Sequence, residues 1–287
     1  MIRLENVRKR YEDKQGEFEL GCSLELQSGR ITGLIGANKE EKSTTFKSIL
    51  NLISIDDGTI DIFGKPHTKL TREDKENIGV VLADSGFSEC LCPEDIGKIM
   101  KQFYHKFYGK NFREMCDKLK VPMQKQVKEF STGMRAKLKL IIAMSHEAKF
   151  LLLDEPTAGL DVTARDTILE MLQDYMEEHE DAGILISSHI STDLEKICDD
   201  IYMIDNGKIV LHEETDTLLE NYATLKLDES QFESMEKEYF LRKKKESYGY
   251  SILTDKRQFF LENYPEVVME KGSIDDIILM MTKGETI

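Results

Sequence analysis

Between residues 36 and 45 the chain reads Gly36-Ala37-Asn38-Lys39-Glu40-Glu41-Lys42-Ser43-Thr44-Thr45. A glycine followed six residues later by lysine and then by hydroxyl side chains is the pattern of a loop that lays backbone N–H groups against phosphate. The lysine adds a positive charge, and the Ser43 hydroxyl suits a hard cation such as Mg²⁺. The second glycine of the pattern is due at position 41, where Glu41 stands. Glycine permits close approach and positive φ. A carboxylate about 4 Å from a phosphate charge is unfavourable by about 4 kcal/mol at an effective dielectric near 20, roughly a thousandfold in affinity. A side chain forced to positive φ costs less, about 1–2 kcal/mol. The strength of binding therefore depends on where Lys39, Glu40 and Glu41 point. One expectation is that Glu40 or Glu41 occupies the phosphate position itself, paired with Lys42 at a helix N-terminus that attracts anions.

Three further groups could act with this loop. Leu151-Leu152-Leu153-Asp154-Glu155-Pro156 puts two carboxylates at the end of an apolar run. In an open α/β sheet, ligands bind at that C-terminal edge. Asp154 is placed to hold Mg²⁺ with the Ser43 hydroxyl. Glu155 is placed to polarise a water for attack on a γ-phosphate. His189 follows another apolar run in the same edge position, where it can bond a γ-phosphate oxygen and orient the water. Phe130-Ser131-Thr132-Gly133-Met134 precedes a helical segment, and Ser131 and Gly133 at a helix N-terminus make an anion site. Each has an ordinary reading: a solvated acidic loop, a polar loop histidine, a plain N-cap. Their order along one chain is what gives them force.

The elements that must position these groups are legible from periodicity. Ile2, Leu4 and Val7, then Phe18, Leu20, Leu24 and Leu26, alternate with polar residues and predict short antiparallel strands, with turns at Gly16 and Ser28-Gly29. Ile31–Ile35 is a compact apolar strand, and Phe46, Ile49, Leu50 and Ile53 recur at helical spacing over 43–53. Strand, loop and helix is the context that the phosphate loop requires. A turn at Asp56-Asp57-Gly58 leads into a strand, and 78–82 is another. Ile96, Ile99, Met100 and Phe103, and later Leu138, Ile141, Ile142 and Met144, predict a mainly helical insert over about 86–147. Phe150–Leu153 reads as a central parallel strand, 162–180 as an amphipathic helix, 183–188 as the next strand, and 201–210 as a hairpin around Asn206-Gly207. Such alternation implies a parallel sheet covered on both faces, in an α/β fold with an antiparallel β subdomain. After about His212 the texture changes, and 213–287 is expected to be a small α+β appendage.

Bulk properties narrow the class. With 287 residues, 40% hydrophobic and 32% charged, the chain can build one large α/β domain and an appendage. No stretch approaches the ~18–20 apolar residues of a membrane span, and the start lacks a signal-peptide core, so any span is expected on another chain. A net charge of −15 disfavours nucleic acid as a partner. Five cysteines in irregular spacing, including the lone Cys90-Leu91-Cys92, predict neither a disulfide framework nor a metal site and fit a reducing compartment.

In order, spacing and strand context, residues 1 to about 212 resemble the nucleotide-binding subunit of ATP-binding-cassette (ABC) transporters, a P-loop NTPase fold. The resemblance implies the following roles. Tyr11 stacks on adenine. Gly36, Ala37, Asn38, Lys39, Glu40, Glu41, Lys42, Ser43 and Thr44 form the Walker A loop around ATP. Phe130–Met134 is the signature motif, with Ser131 and Gly133 on nucleotide. Phe150–Glu155 is Walker B, with Asp154 and Ser43 on Mg²⁺ and Glu155 catalytic. Ala158-Gly159-Leu160-Asp161 is the D-loop, and His189 is the switch histidine. The Ser-Thr-Gly-Met form and acidic tail resemble the branch serving bacterial drug, peptide or cell-envelope exporters. The resemblance also implies a homodimer or a paralogous partner, an integral membrane permease, and a cytoplasmic place on the inner face of the membrane. The chain departs from the family at Lys39, Glu40 and Glu41, at Met134, and at Ala83-Asp84, where a glutamine is due. Ala83 cannot coordinate Mg²⁺ or water, whereas Asp84 can. Two other readings stand beside the exporter ATPase. One is a nucleotide-binding-impaired subunit that pairs with an active paralogue. The other is a soluble ATPase acting on ribosomes or DNA.

Overall fold

The computed structural model describes residues 1–13, 16–36, 38–83 and 85–287, with the backbone alone for 12, 13, 16–18 and 39. The expectations placed on Ala37, on Asp84 and on the Lys39 side chain lie outside the described residues. The chain opens with β1 (Ile2–Asp13), β2 (Gly16–Leu26) and β3 (Ile31–Ile35), then α1 (Lys39–Ile49). Next come β4 (Asp57–Ile62), β5 (Lys65–Pro66), α2 (Arg72–Glu76) and β6 (Ile78–Val81). Helices α3 (Pro93–Phe103), α4 (Gly109–Lys118) and α5 (Thr132–Met144) follow without an intervening strand among the described residues. The chain returns to the sheet through β7 (Phe150–Asp154), α6 (Val162–Glu178), β8 (Gly183–Ser187), α7 (Ser191–Ile197), β9 (Asp200–Asp205) and β10 (Lys208–Glu214). The last stretch holds α8 (Thr215–Asn221), β11 (Ala223–Leu227), α9 (Glu229–Ser234), β12 (Arg242–Glu246), β13 (Gly249–Thr254), α10 (Arg257–Asn263), β14 (Val268–Lys271) and α11 (Ile274–Lys283).

Ten strands make one sheet in the order β5-β4-β1-β2-β10-β9-β3-β8-β7-β6. The half running from β9 to β6 is parallel, and the other half is built mainly of antiparallel pairs. Every residue of β3, β7 and β8 is buried. That is why these strands read as unbroken apolar runs: helices cover both faces. Two elements differ from the sequence expectation. The first hairpin is long, with strands of 12 and 11 residues. A bulge between Leu4 and Val7, with Asn6 at φ 49°, shifts the inward alternation by one residue and breaks the pattern in two. Helix α1 starts at Lys39, because Asn38 is its N-cap and accepts from the Glu40 N–H at 2.9 Å. It ends at Ile49 rather than Ile53, and Asn51 follows in the left-handed region.

The second sheet is four-stranded and antiparallel, in the order β12-β13-β11-β14. With α9 and α10 as the crossovers, this is a β-α-β-β-α-β unit of ferredoxin-like topology. An aromatic cluster with Phe240 and Phe260 fills one part of it. Leu253, Ile274, Ile277 and Met280 instead join the largest core of the molecule, together with Leu194 and Ile197 of α7.

Candidate functional site

The first turn of α1 follows β3 directly, so its unpaired N–H groups face the C-terminal edge of the parallel strands. Gly36 is required there by packing: a Cβ would lie 2.5 Å from the Ile204 carbonyl oxygen. Lys42 is 1% exposed. Its Nζ donates to the Gly36 carbonyl at 2.7 Å and lies 3.5 Å from Glu155 Oε1. The Ser43 hydroxyl donates to Asp154 Oδ2 at 2.7 Å. A hydroxyl and a carboxylate at that spacing form a hard-oxygen pair suited to Mg²⁺, whose other ligands would be phosphate and water. Thr44, the next residue of α1, is buried.

Asp154 ends β7, Glu155 follows it, and β8 ends beside Asp154 at Ser187. Ser187 links the two: its hydroxyl donates to Asp154 Oδ1 at 2.8 Å and accepts from the Glu155 N–H at 3.0 Å. Glu155 has φ 53°, a left-handed conformation that costs of order 1 kcal/mol outside glycine. The Ser187 bond and two bonds from His189 hold it there. The His189 N–H donates to Glu155 Oε2 at 3.3 Å, and His189 Nδ1 lies 2.6 Å from the same oxygen. The Glu155 carboxylate is thus shared between a buried ammonium and an exposed imidazole, a setting for activating water at a phosphate. A cavity of about 600 Å³ opens on this edge. Lys42, Asp154, Glu155 and His189 line it, facing Thr132 and Arg135 of α5.

The two loop glutamates diverge. Glu40 is exposed, and Glu41 is 4% exposed. The Glu41 carboxylate lies near the Gly207 N–H in the β9–β10 turn, and its Oε2 has no hydrogen-bond partner among the described residues. Burial, with Asp205 nearby, pushes its pKa above the ordinary carboxylate value. Gly207 is needed at that turn: it has φ 73°, and a Cβ would lie 1.8 Å from the Glu19 carbonyl oxygen. The expected phosphate mimic is therefore not what the structure contains. The carboxylate at Lys42 is that of Glu155, and Glu41 is turned to the neighbouring hairpin. Neither Glu40 nor Glu41 has positive φ, since both lie in the first helical turn. The strain expected there is absent, because Asn38 caps the helix ahead of them.

Ser131 is the N-cap of α5 and accepts from the Met134 N–H at 3.3 Å. It is exposed. Gly133 lies close to α6, where a Cβ would be 3.4 Å from that of Ala164. Tyr11 stands in β1 with Lys9 Nζ 5.5 Å from its ring centre, and it is not among the residues lining the cavity. Ala83, at the position due for glutamine, lines the cavity. Sequence reasoning missed Ser187, although a polar pair closing the apolar run Ile184-Leu185-Ile186 was a signal for it. It also missed Arg135, which brings a cation paired to Glu89 at 3.1 Å.

Residues 20–158 match the family model described as ABC transporter. The chain is similar to the ABC transporter ATP-binding protein YtrB of Bacillus subtilis, at 30% identity over 79% of this chain and 76% of that protein. It is also similar to the Nod factor export ATP-binding protein I of Burkholderia lata, at 30% identity over 77% of this chain and 73% of that protein. In fold it is similar to an ATP-binding cassette solved as a dimer in a post-hydrolysis state with ADP and Pi. That likeness has a TM-score of 0.66 at 19% identity, over 75% of this chain and 99% of the other.

Proposed function

The chain belongs to the family of ABC transporter ATP-binding proteins, and from that premise we propose that it binds and hydrolyses ATP as a dimer to drive export through a membrane permease. The observation that carries the reading is the convergence of Lys42, Ser43, Asp154, Glu155 and His189 on one sheet edge. The N-terminal N–H groups of α1 and the Lys42 ammonium hold the β- and γ-phosphates. Ser43 and Asp154 would hold Mg²⁺, which when bound neutralises charge on those oxygens. Glu155 takes a proton from a water as the water oxygen bonds the γ-phosphorus. The bond from that phosphorus to the β-bridging oxygen breaks, leaving ADP and phosphate. His189, bonded to Glu155 Oε2, orients that carboxylate and contacts the γ-phosphoryl oxygens. Ser131 and Gly133 act on the nucleotide of the second subunit, and the exposure of Ser131 supports that assignment.

Among the described residues no helix is long and apolar enough to cross a membrane. The likeness to ABC transporter ATP-binding proteins supports assigning the permease to another chain, with this subunit on the cytoplasmic face. Residues 1–212 are assigned to the cassette and 213–287 to a C-terminal module. The Nod factor export relative supports export as the direction. Impairment by the altered loop is disfavoured because the carboxylate paired with Lys42 Nζ is that of Glu155.

The test is a titration of the purified chain with ATP and Mg²⁺ by calorimetry, with phosphate release measured in parallel, beside Glu155→Gln. The wild type is expected to turn over, and the variant to bind ATP with turnover reduced by at least ~100-fold. A wild-type chain that neither binds nor hydrolyses ATP overturns the reading.

A further inference from the structure

Helix α7 has seven residues and begins two positions after His189. A helix that short has no stability of its own, so its place is set by what packs against it. Three neighbours hold it: β3, where a Cβ on Gly33 would lie 3.5 Å from Leu194 Cδ1, and the helices α6 and α11. From α6, Arg165 Nη1 lies 3.7 Å from Asp193 Oδ1, and Asp166 Oδ1 accepts from Lys196 Nζ at 2.8 Å. Asp193 is 3% exposed, and its Oδ2 has no hydrogen-bond partner among the described residues. From the opposite end of the chain, the Ile274 N–H that opens α11 donates to Glu195 Oε1 at 3.2 Å. Ile274, Ile277 and Met280 of α11 share a buried core with Leu194 and Ile197 of α7.

His189 itself is held at Glu155. Its side chain is 58% exposed, and its described contacts are the two to Glu155 Oε2. The next residue, Ile190, is tied back by its N–H to Ser188 Oγ at 3.0 Å and serves as the N-cap of α7. A shift of α7 along its axis therefore moves the His189 backbone directly, and with it the 2.6 Å bond to the Glu155 carboxylate. Displacements of about 1 Å in a catalytic geometry reduce rates by up to roughly 100-fold.

We propose that the C-terminal module positions His189: α11 clamps α7 through Glu195 and Ile277, and so sets the His189–Glu155 pair. The proposal rests on the reading of that pair as hydrolytic. Glu195 and Ile277 are positioning residues, since neither touches nucleotide and both act through α7. The module is thereby a lever on turnover as well as a covering for the cassette.

The experiment compares full-length Glu195→Ala, Ile277→Ala and Ile252→Ala. Ile252 is fully buried in the module's other core cluster, away from α7. Steady-state ATP turnover, thermal midpoint and the ring resonances of His189 by NMR are measured for each. Glu195→Ala and Ile277→Ala are expected to lower kcat by about fivefold or more, with KM for ATP within about twofold, and to shift the His189 resonances. Ile252→Ala is expected to lower the thermal midpoint while leaving kcat and the His189 resonances unchanged. Glu195 is only partly buried, so its variant reports even where Ile277→Ala folds poorly. Unmoved His189 resonances in Glu195→Ala, or the same kcat loss in all three variants, overturn the proposal. If the wild type shows no turnover at any ATP concentration, the hydrolytic reading falls, and the resonances still decide whether α11 positions His189.

Discussion

Lys42 and Glu41 are adjacent in the chain and both almost wholly buried, at 1% and 4% exposure, yet they occupy opposite surroundings. Lys42 has two acceptors, the Gly36 carbonyl and Glu155. Glu41 lies near the Gly207 N–H, with Asp205 as a like charge and Lys42 as an opposite one, and its Oε2 has no hydrogen-bond partner among the described residues. Successive residues on a helix point about 100° apart. One turn of α1 therefore presents a cation to the sheet edge and an anion to the β9–β10 hairpin. The difference teaches that a motif position is defined by the face it projects, and not only by its count along the chain. A carboxylate at position 41 would oppose phosphate if it shared the direction of Lys42; behind the loop it becomes a matter of folding stability instead.

The largest effect should come from Lys42→Ala. Removing hydrogen bonds from a charged donor, each about 1.5–3 kcal/mol, is expected to weaken ATP binding by roughly 100-fold or more in calorimetry. It should also lower the thermal midpoint, because Glu155 stays buried without its cation. An unchanged affinity would mean that Lys42 does not face the phosphates.

Glu41 sharpens the comparison from the other side. Its folded-state pKa is raised, so its contribution to stability is present below the ordinary carboxylate range and is lost as pH rises through the folded value. Glu41→Gln carries no charge and escapes that loss. Its thermal midpoint should equal that of the wild type near pH 4 and exceed it at neutral pH, with the gap opening as pH rises. A difference independent of pH would place the Glu41 carboxylate in water. In the same preparation, Glu41→Gly should leave ATP affinity within about threefold, under 1 kcal/mol. A tenfold gain would restore the repulsion expected from the sequence alone. Smallest of all is Glu40→Gln: the residue is exposed, and its removal should change stability by less than about 0.5 kcal/mol in denaturant titration.

Much of this was legible beforehand. The apolar runs at β3, β7 and β8 are read correctly because strands buried on both faces leave no alternation to misread. The turn at Asn206-Gly207 is read correctly because both residues take positive φ, at 48° and 73°, as that dipeptide does in tight hairpins. The long first hairpin was not legible, because a bulge shifts its register. Nor was the start of α1, because Asn38 lies inside a loop that the motif leads one to expect to be extended.

At the site, residue types were enough to nominate Lys42, Ser43, Asp154, Glu155 and His189, since phosphate and Mg²⁺ chemistry calls for such donors at strand ends. What the sequence by itself determined is therefore the class of fold and the set of groups, because both follow from short-range pattern. Only the tertiary structure decided how the groups pair. It put Glu155 rather than Glu41 against Lys42, made Ser187 the link between Asp154 and Glu155, and seated α11 on the helix that follows His189. Those contacts join residues far apart in the chain, as from 187 to 154 or from 274 to 195. Their geometry is set by how strands and helices stack, and no local spacing encodes it.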